Sequence, residues 1–209
     1  MNATDLQNAT AEDILSWTYR RFGRVALVAS FQAESMVLID IACKLVPHPE
    51  VLTLDTGRPH EETHQYIEYV REPFPIRLRI LAPDACELEA MSSAHGHMPF
   101  LKSVPHRPPS CAAGRVNLSG GALRDYDAWI TGLRRDQTPT RALTPVVASD
   151  VGHDGMIKVV PLSSWRREQL WDDLRATGNP QPPPEDRVIP SIRWRPRTPR
   201  PTPPARGSV

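Results

Sequence analysis

The feature that most constrains this chain is a rhythm: short apolar, β-branched runs end in polar turns and are followed by segments with helical spacing. Arg24 to Ala29 (RVALVA) runs into Ser30-Phe31-Gln32-Ala33-Glu34-Ser35, and Met36 to Cys43 is then apolar nearly all round. That pattern predicts a buried strand, a tight turn and a buried helix. A second strand, Glu50 to Leu54, stops at Asp55-Thr56-Gly57, and in the helix that follows Thr63, Tyr66, Ile67 and Val70 share one face. A third strand, Ile76 to Leu81, leads through Ala82-Pro83-Asp84 into a short helix over Cys86 to Ala94. Asp127 to Gly132 and Met156 to Val160 read as further strands, and Ser164 as the N-cap of a helix carrying Leu170, Trp171 and Leu174. The order predicts an α/β fold, a doubly wound and mainly parallel sheet with helices on both faces.

With 209 residues, 40% of them apolar, the chain can bury one core, assigned to residues 1–179. Residues 180–209 hold 10 of the 23 prolines and 6 arginines with almost no apolar periodicity, so this tail is expected to be disordered. A balance of 25 basic against 24 acidic side chains leaves no global field to draw the protein to nucleic acid or membrane, and any anion site must be local. No apolar run approaches 18 residues, and the N-terminus lacks the basic and apolar regions of a signal peptide, which predicts a cytoplasmic protein. Three cysteines are too few, and odd in number, for a disulfide framework, in keeping with a reducing compartment.

Ligands of doubly wound sheets bind beyond the carboxyl ends of the strands, where helix N-termini favour anions. Three loops fall there. Ser30 to Ser35 offers two hydroxyls and backbone amides ahead of a helix, which suits a phosphate or sulfate; it also reads as an ordinary N-capped turn. Leu54-Asp55-Thr56-Gly57 ends a strand whose backbone could pair with a purine edge. Gly132 to Arg141 carries Arg134, Arg135 and Arg141, and arginine forks clamp phosphate-like groups, although a solvated loop has the same composition. Other groups read as structural. His60, Glu61 and Glu62 begin a helix and complement its dipole. Cys43 and Cys86 suit packing, Trp165 and Trp171 suit core or helix docking, and His95, His97 and His106 lack a zinc spacing.

Taken together, SFQAES, LDTGRPHEET and DAWITGLRRDQTPTRA, in this order, resemble the phosphoadenylyl-sulfate and adenylyl-sulfate reductases of the adenine-nucleotide α-hydrolase-like superfamily. The similarity runs from about Gly23 to Ile192, with GLRRDQ its most specific part. It implies a nucleotide-binding, reductase-like domain with adenine near the Leu54 strand end. Substrate contacts would come from Ser30, Phe31, Gln32, Ser35, Leu54, Asp55, Thr56, Gly57, Arg115, Gly132, Arg134, Arg135, Gln137 and Arg141. The implied activity is assimilatory reduction of activated sulfate to sulfite, with thioredoxin or glutaredoxin as thiol donor.

HGHMPFLKSV (His95 to Val104) is similar to the branch that uses adenylyl sulfate and holds a [4Fe-4S] cluster on four thiolates. The matching positions here read Ser110, Cys111, Trp194 and Arg197, so Cys111 is a lone remnant and no cofactor is expected. The family's Glu-Cys-Gly-x-His motif is absent too, so no catalytic residue is assigned. The expectation is a truncated or degenerate reductase homologue whose Arg-Pro tail also fits a shifted reading frame. The alternative is a non-catalytic adenine-nucleotide-binding protein. Whether the nucleotide carries a 3′-phosphate stays open. An ATP-pyrophosphatase-type adenylyl transferase is disfavoured, because the Ser-Gly-Gly-x-Asp-Ser loop of that type does not occur.

Overall fold

A computed structural model describes residues 5–54, 61–81, 121–153 and 155–182. Six strands form one sheet in the order β3-β2-β1-β4-β6-β5: β1 (Val25–Val28), β2 (Glu50–Leu54), β3 (Arg77–Leu81), β4 (Ala128–Thr131), β5 (Val147–Asp150) and β6 (Met156–Val159). All neighbours pair in parallel except β5 with β6. The chain winds outward from β1 through β2 to β3, then returns to β4 on the other flank of β1, so the switch in winding direction lies between β1 and β4. The doubly wound, mainly parallel α/β sheet expected from the sequence is therefore present.

Side-chain alternation along the strands divides the core in two. Val25, Leu27, Val51 and Ile130 face the larger cluster, which is closed by α1 (Ala11–Arg21), α2 (Ala33–Leu45), α3 (Glu61–Arg71) and α4 (Arg167–Thr177). Ala26 and Leu52 face a smaller cluster with Leu123 and Tyr126. Helix α2 lies between sheet, α1 and α4, which accounts for its all-round apolar sequence: Met36, Val37, Leu38 and Ile39 are fully buried. In α3, Tyr66, Ile67 and Val70 are buried at the predicted spacing, and Trp165 and Trp171 pack against the larger cluster as expected.

Two elements go beyond the sequence-based expectations. Helix α1 is announced by Thr10, whose Oγ1 accepts from the Asp13 amide at 3.1 Å, and by buried Ile14, Leu15 and Thr18. Strand β5 is a four-residue antiparallel edge in which no residue is fully buried, and its sequence, VASD, carries no clear alternation. One boundary is corrected. Ser164 is not the cap of α4; the helix starts at Arg167 with Arg166 in the cap position, its amide donating to Gln169 Oε1 at 2.8 Å. Residues 162–165 are instead taken up by a tight turn in which the Trp165 amide donates to the Leu162 carbonyl. The helix expected over Cys86 to Ala94 lies outside the described residues, as does the tail beyond Pro182.

Candidate functional site

Strands β1 and β4 are in register, with Val28 opposite Thr131, so the loops that leave them start side by side. The β1 loop turns sharply: Phe31 adopts a left-handed backbone, φ 55°, while its ring is 1% exposed. For a residue with a side chain this conformation costs about 1–2 kcal/mol, and the buried ring holds it in place. After the turn, Gln32 stands at the cap position of α2 without a side-chain cap. The Ser35 hydroxyl is buried and turned backward, accepting from the Ser30 amide at 3.1 Å, whereas Ser30 itself is exposed. Among the described residues no side chain caps the first turn of α2, and the amides of an uncapped helix N-terminus are groups that an anion can engage.

The β4 loop comes close enough to demand glycine. A Cβ placed on Gly132 would lie 2.6 Å from Glu34 Cβ, so any larger residue would push the two loops apart. Beyond it, the paired arginines diverge. Arg134 is 5% exposed and lies between two carboxylates: its Nη1 is 2.9 Å from Glu34 Oε1 and its Nε 2.9 Å from Asp136 Oδ1. Asp136 in turn accepts from the Arg167 amide at 2.9 Å, joining the loop to the start of α4. Arg135 points the other way, donating to the Thr144 carbonyl at 2.9 Å and to Gln7 Oε1 at 3.1 Å. Gln137 sits at the centre. Its Nε2 donates to Glu34 Oε1 at 2.9 Å, and its Oε1 accepts from the Arg134 amide at 3.2 Å and from Arg141 Nη1. Arg141 is half-buried, and its guanidinium makes no other hydrogen bond among the described residues.

Of the residues singled out in the sequence, the structure therefore gathers Ser30, Phe31, Gln32, Ser35, Gly132, Arg134, Gln137 and Arg141 along two adjoining loops. Arg135 leaves the group. Leu54 ends β2 on the same edge of the sheet, paired with Leu81. Asp55, Thr56, Gly57, Cys111 and Arg115 lie outside the described residues. Sequence reasoning gave no role to Glu34 or Asp136, although both stand inside the quoted motifs. An acid in the first turn of a helix reads as dipole compensation, and only the fold shows each of them facing an arginine. Cys43, the one cysteine among the described residues, lies on α2 away from these loops, and burial with Asp40 nearby pushes its thiol up to about 11. Such a shift disfavours the thiolate, the form in which cysteine acts as a nucleophile.

The family model described as the phosphoadenosine phosphosulfate reductase domain matches residues 24–192, which include every strand, α2 to α4 and both loops. The chain belongs to this family. Among curated relatives it is 35% identical over 193 residues to an adenosine 5'-phosphosulfate reductase of Staphylococcus haemolyticus, covering 91% of this chain and 77% of that protein. It is 34% identical over 190 residues to the enzyme of the same name from Shouchella clausii, covering 90% and 77%. Among solved structures, a phosphate complex of phosphoadenylyl-sulfate reductase from Candida auris superposes with a TM-score of 0.71 at 21% identity, covering 86% of this chain and 85% of that one. The fold is thus that of the family, and the chain is a homologue of the reductases of sulfate assimilation. No helix among the described residues is long and apolar enough to cross a membrane.

Proposed function

We propose that this chain binds adenylyl sulfate, or its 3′-phosphorylated form, at the mouth between the β1 and β4 loops. The observation that supports this reading is the register of β1 with β4, Val28 opposite Thr131, which starts the α2 loop and the arginine-bearing loop side by side at the switch point of the sheet, where Gln137 links Glu34 of α2 to Arg141. A helix N-terminus and a guanidinium supply the directional donors that a phosphate-sulfate anhydride needs. Arg134 lends charge to the same corner, but Glu34 and Asp136 already occupy two of its donors. The adenine is assigned to the end of β2, at Leu54 to Gly57.

The reductive step is a separate matter. Reduction of activated sulfate needs a thiolate that attacks sulfur and expels the nucleotide, then a second thiol, from a carrier of the thioredoxin or glutaredoxin class, that releases sulfite. The Cys43 thiolate is disfavoured and its position remote, and the Glu-Cys-Gly-x-His sequence that serves this role in the family does not occur in these 209 residues. Nor does the donor set fit the cluster of the adenylyl-sulfate branch: a hydroxyl, an indole and a guanidinium at Ser110, Trp194 and Arg197 cannot replace soft thiolates, and Cys111 alone supplies one. We therefore assign this chain nucleotide-sulfate recognition, its sequence carrying neither the Glu-Cys-Gly-x-His motif nor the four cluster thiolates of the family branch.

Two measurements test the reading. Calorimetric titration with adenylyl sulfate, phosphoadenylyl sulfate, AMP and adenosine is expected to show binding of the charged nucleotides, and no binding of any of them would refute the site. A sulfite-release assay with reduced thioredoxin is expected to show none. Turnover abolished by Cys111→Ser would make that thiol the nucleophile and overturn the second half of the assignment.

A further inference from the structure

Glu34 presents a problem that the anion site alone does not solve. A carboxylate in the first turn of α2, next to amides that await an anion, should repel that anion. Its neutralisation is plain, because Arg134 Nη1 lies on Glu34 Oε1 at 2.9 Å and both side chains are largely buried. Its purpose shows in the second donor on the same oxygen, Gln137 Nε2, also at 2.9 Å. A carboxylate only accepts, so it obliges the Gln137 amide to present its NH2 side. The carbonyl side is thereby turned to the Arg134 amide and to Arg141 Nη1. Were the amide reversed, its NH2 would meet two N–H donors and Glu34 would meet a second acceptor. Glu34 is itself fixed, since Gly132 brings the β4 loop within reach of its Cβ.

Resting on the reading that Arg141 meets the anion, we infer that Glu34 is a positioning residue: through the obligate orientation of the Gln137 amide, it aims the Arg141 guanidinium at the ligand of the α2 N-terminus. The helix amides and the arginine come from loops about 100 residues apart in sequence, and the Glu34–Gln137 bond locks one to the other. Arg134 then has a role other than ligand. It compensates the charge that the orienting acceptor brings, so a carboxylate can work beside an anion site. Glu34 touches neither the nucleotide nor the reacting atoms in this scheme, and it acts only through Gln137 and Arg141.

The test is a set of calorimetric titrations on the full chain with adenylyl sulfate, AMP and uncharged adenosine, using Arg141→Ala, Glu34→Ala, Gln137→Leu and the double variant Glu34→Ala/Arg141→Ala. Loss of a charge-assisted hydrogen bond predicts that Arg141→Ala weakens the two charged nucleotides about 10-fold or more and leaves adenosine unchanged. Glu34→Ala and Gln137→Leu are expected to show the same selective loss, and the double variant to lose no more than Arg141→Ala alone. Wild-type affinity in Glu34→Ala, a double variant that loses the product of the single losses, or a parallel loss of adenosine would each overturn the inference. Glu34→Gln, which keeps an acceptor oxygen and the side-chain volume, stands in if the alanine variant does not fold, and is expected to rescue most of the affinity. Arginine Nε NMR relaxation of the nucleotide-free chain is an independent arm. Arg141 Nε is expected to be ordered in wild type and averaged in Gln137→Leu, and equal order in both overturns the inference even if no nucleotide binds, an outcome that would refute the site reading by itself.

Discussion

Replacing Arg134 with methionine keeps most of the aliphatic stem and deletes the guanidinium that two carboxylates share. Breaking a fully buried ion pair by removing one partner costs about 3–5 kcal/mol, because the other charge is left without compensation. Here the arginine side chain is 7% exposed, but Glu34 is 15% and Asp136 32% exposed, so the stranded acids, Asp136 above all, recover part of their hydration. The expected loss is therefore about 2–4 kcal/mol, or roughly 5–15 °C in Tm for a domain of this size. Urea denaturation followed by circular dichroism measures it. The companion Arg134→Met/Glu34→Gln removes one stranded charge and is expected to recover at least about 1 kcal/mol relative to additivity. Arg71→Met provides the contrast: its pair with Glu68 is exposed at 50% and 66%, and its removal should cost no more than about 1 kcal/mol. If Arg134→Met and Arg71→Met destabilise equally, the buried brace between α2, the β4 loop and α4 does not exist as described.

Gly132→Ala places a methyl 2.6 Å from Glu34 Cβ, so it should destabilise by about 1–3 kcal/mol through overpacking and weaken charged nucleotides more than adenosine; parallel thermal melts and titrations check both. Cys43, with its thiol pushed up to about 11 by burial from an ordinary 9.0, should react with iodoacetamide at pH 8 roughly 100-fold more slowly than in the urea-unfolded chain, as peptide mass spectrometry would read. Since the fold holds that proton more tightly than the unfolded chain does, the neutral thiol's contribution to stability should fade as pH rises from about 9 to 11. Asp173 is likewise raised from its ordinary value, by burial first and then by Asp40, with Lys44 opposing and Glu12 adding to the shift. Its folded form binds the proton more tightly, so wild-type stability falls as pH climbs through the carboxylate range. Asp173→Asn should therefore lose less stability than the wild type as the pH is raised through the carboxylate range, by urea denaturation at several values.

How much of this was legible in the sequence depends on whether a residue's neighbours lie nearby in the chain. Strands β1, β2 and β4 and helix α2 are buried on their working faces, and burial writes periodicity into local sequence. Strand β5 has no fully buried residue and leaves no clear pattern to read. The two loops were legible as positions, since both end strands, but not as contacts. Arg134 and Arg135 look alike on paper, and their divergence comes from an extended backbone at Arg134, φ −125° and ψ 150°, which sends successive side chains to opposite sides. One then meets Glu34, about 100 residues earlier in the chain, and the other Gln7. Charge composition cannot separate a solvated arginine, a ligand and a brace, because that difference lies in what tertiary structure sets opposite it.

The left-handed turn at Phe31 bears on the timing of recognition. Glycine there would relieve the backbone, yet would open a ring-sized void costing about 3–5 kcal/mol. A smaller aliphatic residue would keep the backbone cost and lose part of the packing. The position thus resists exchange in both directions, and the core beneath it imposes one loop shape before any nucleotide arrives. Shaping the α2 amides is then a cost incurred in folding, so a ligand of the proposed site would meet a β1 loop already in its bound shape. Such a site should show association rates close to those of simple encounter, with discrimination among nucleotides residing in how fast each one leaves.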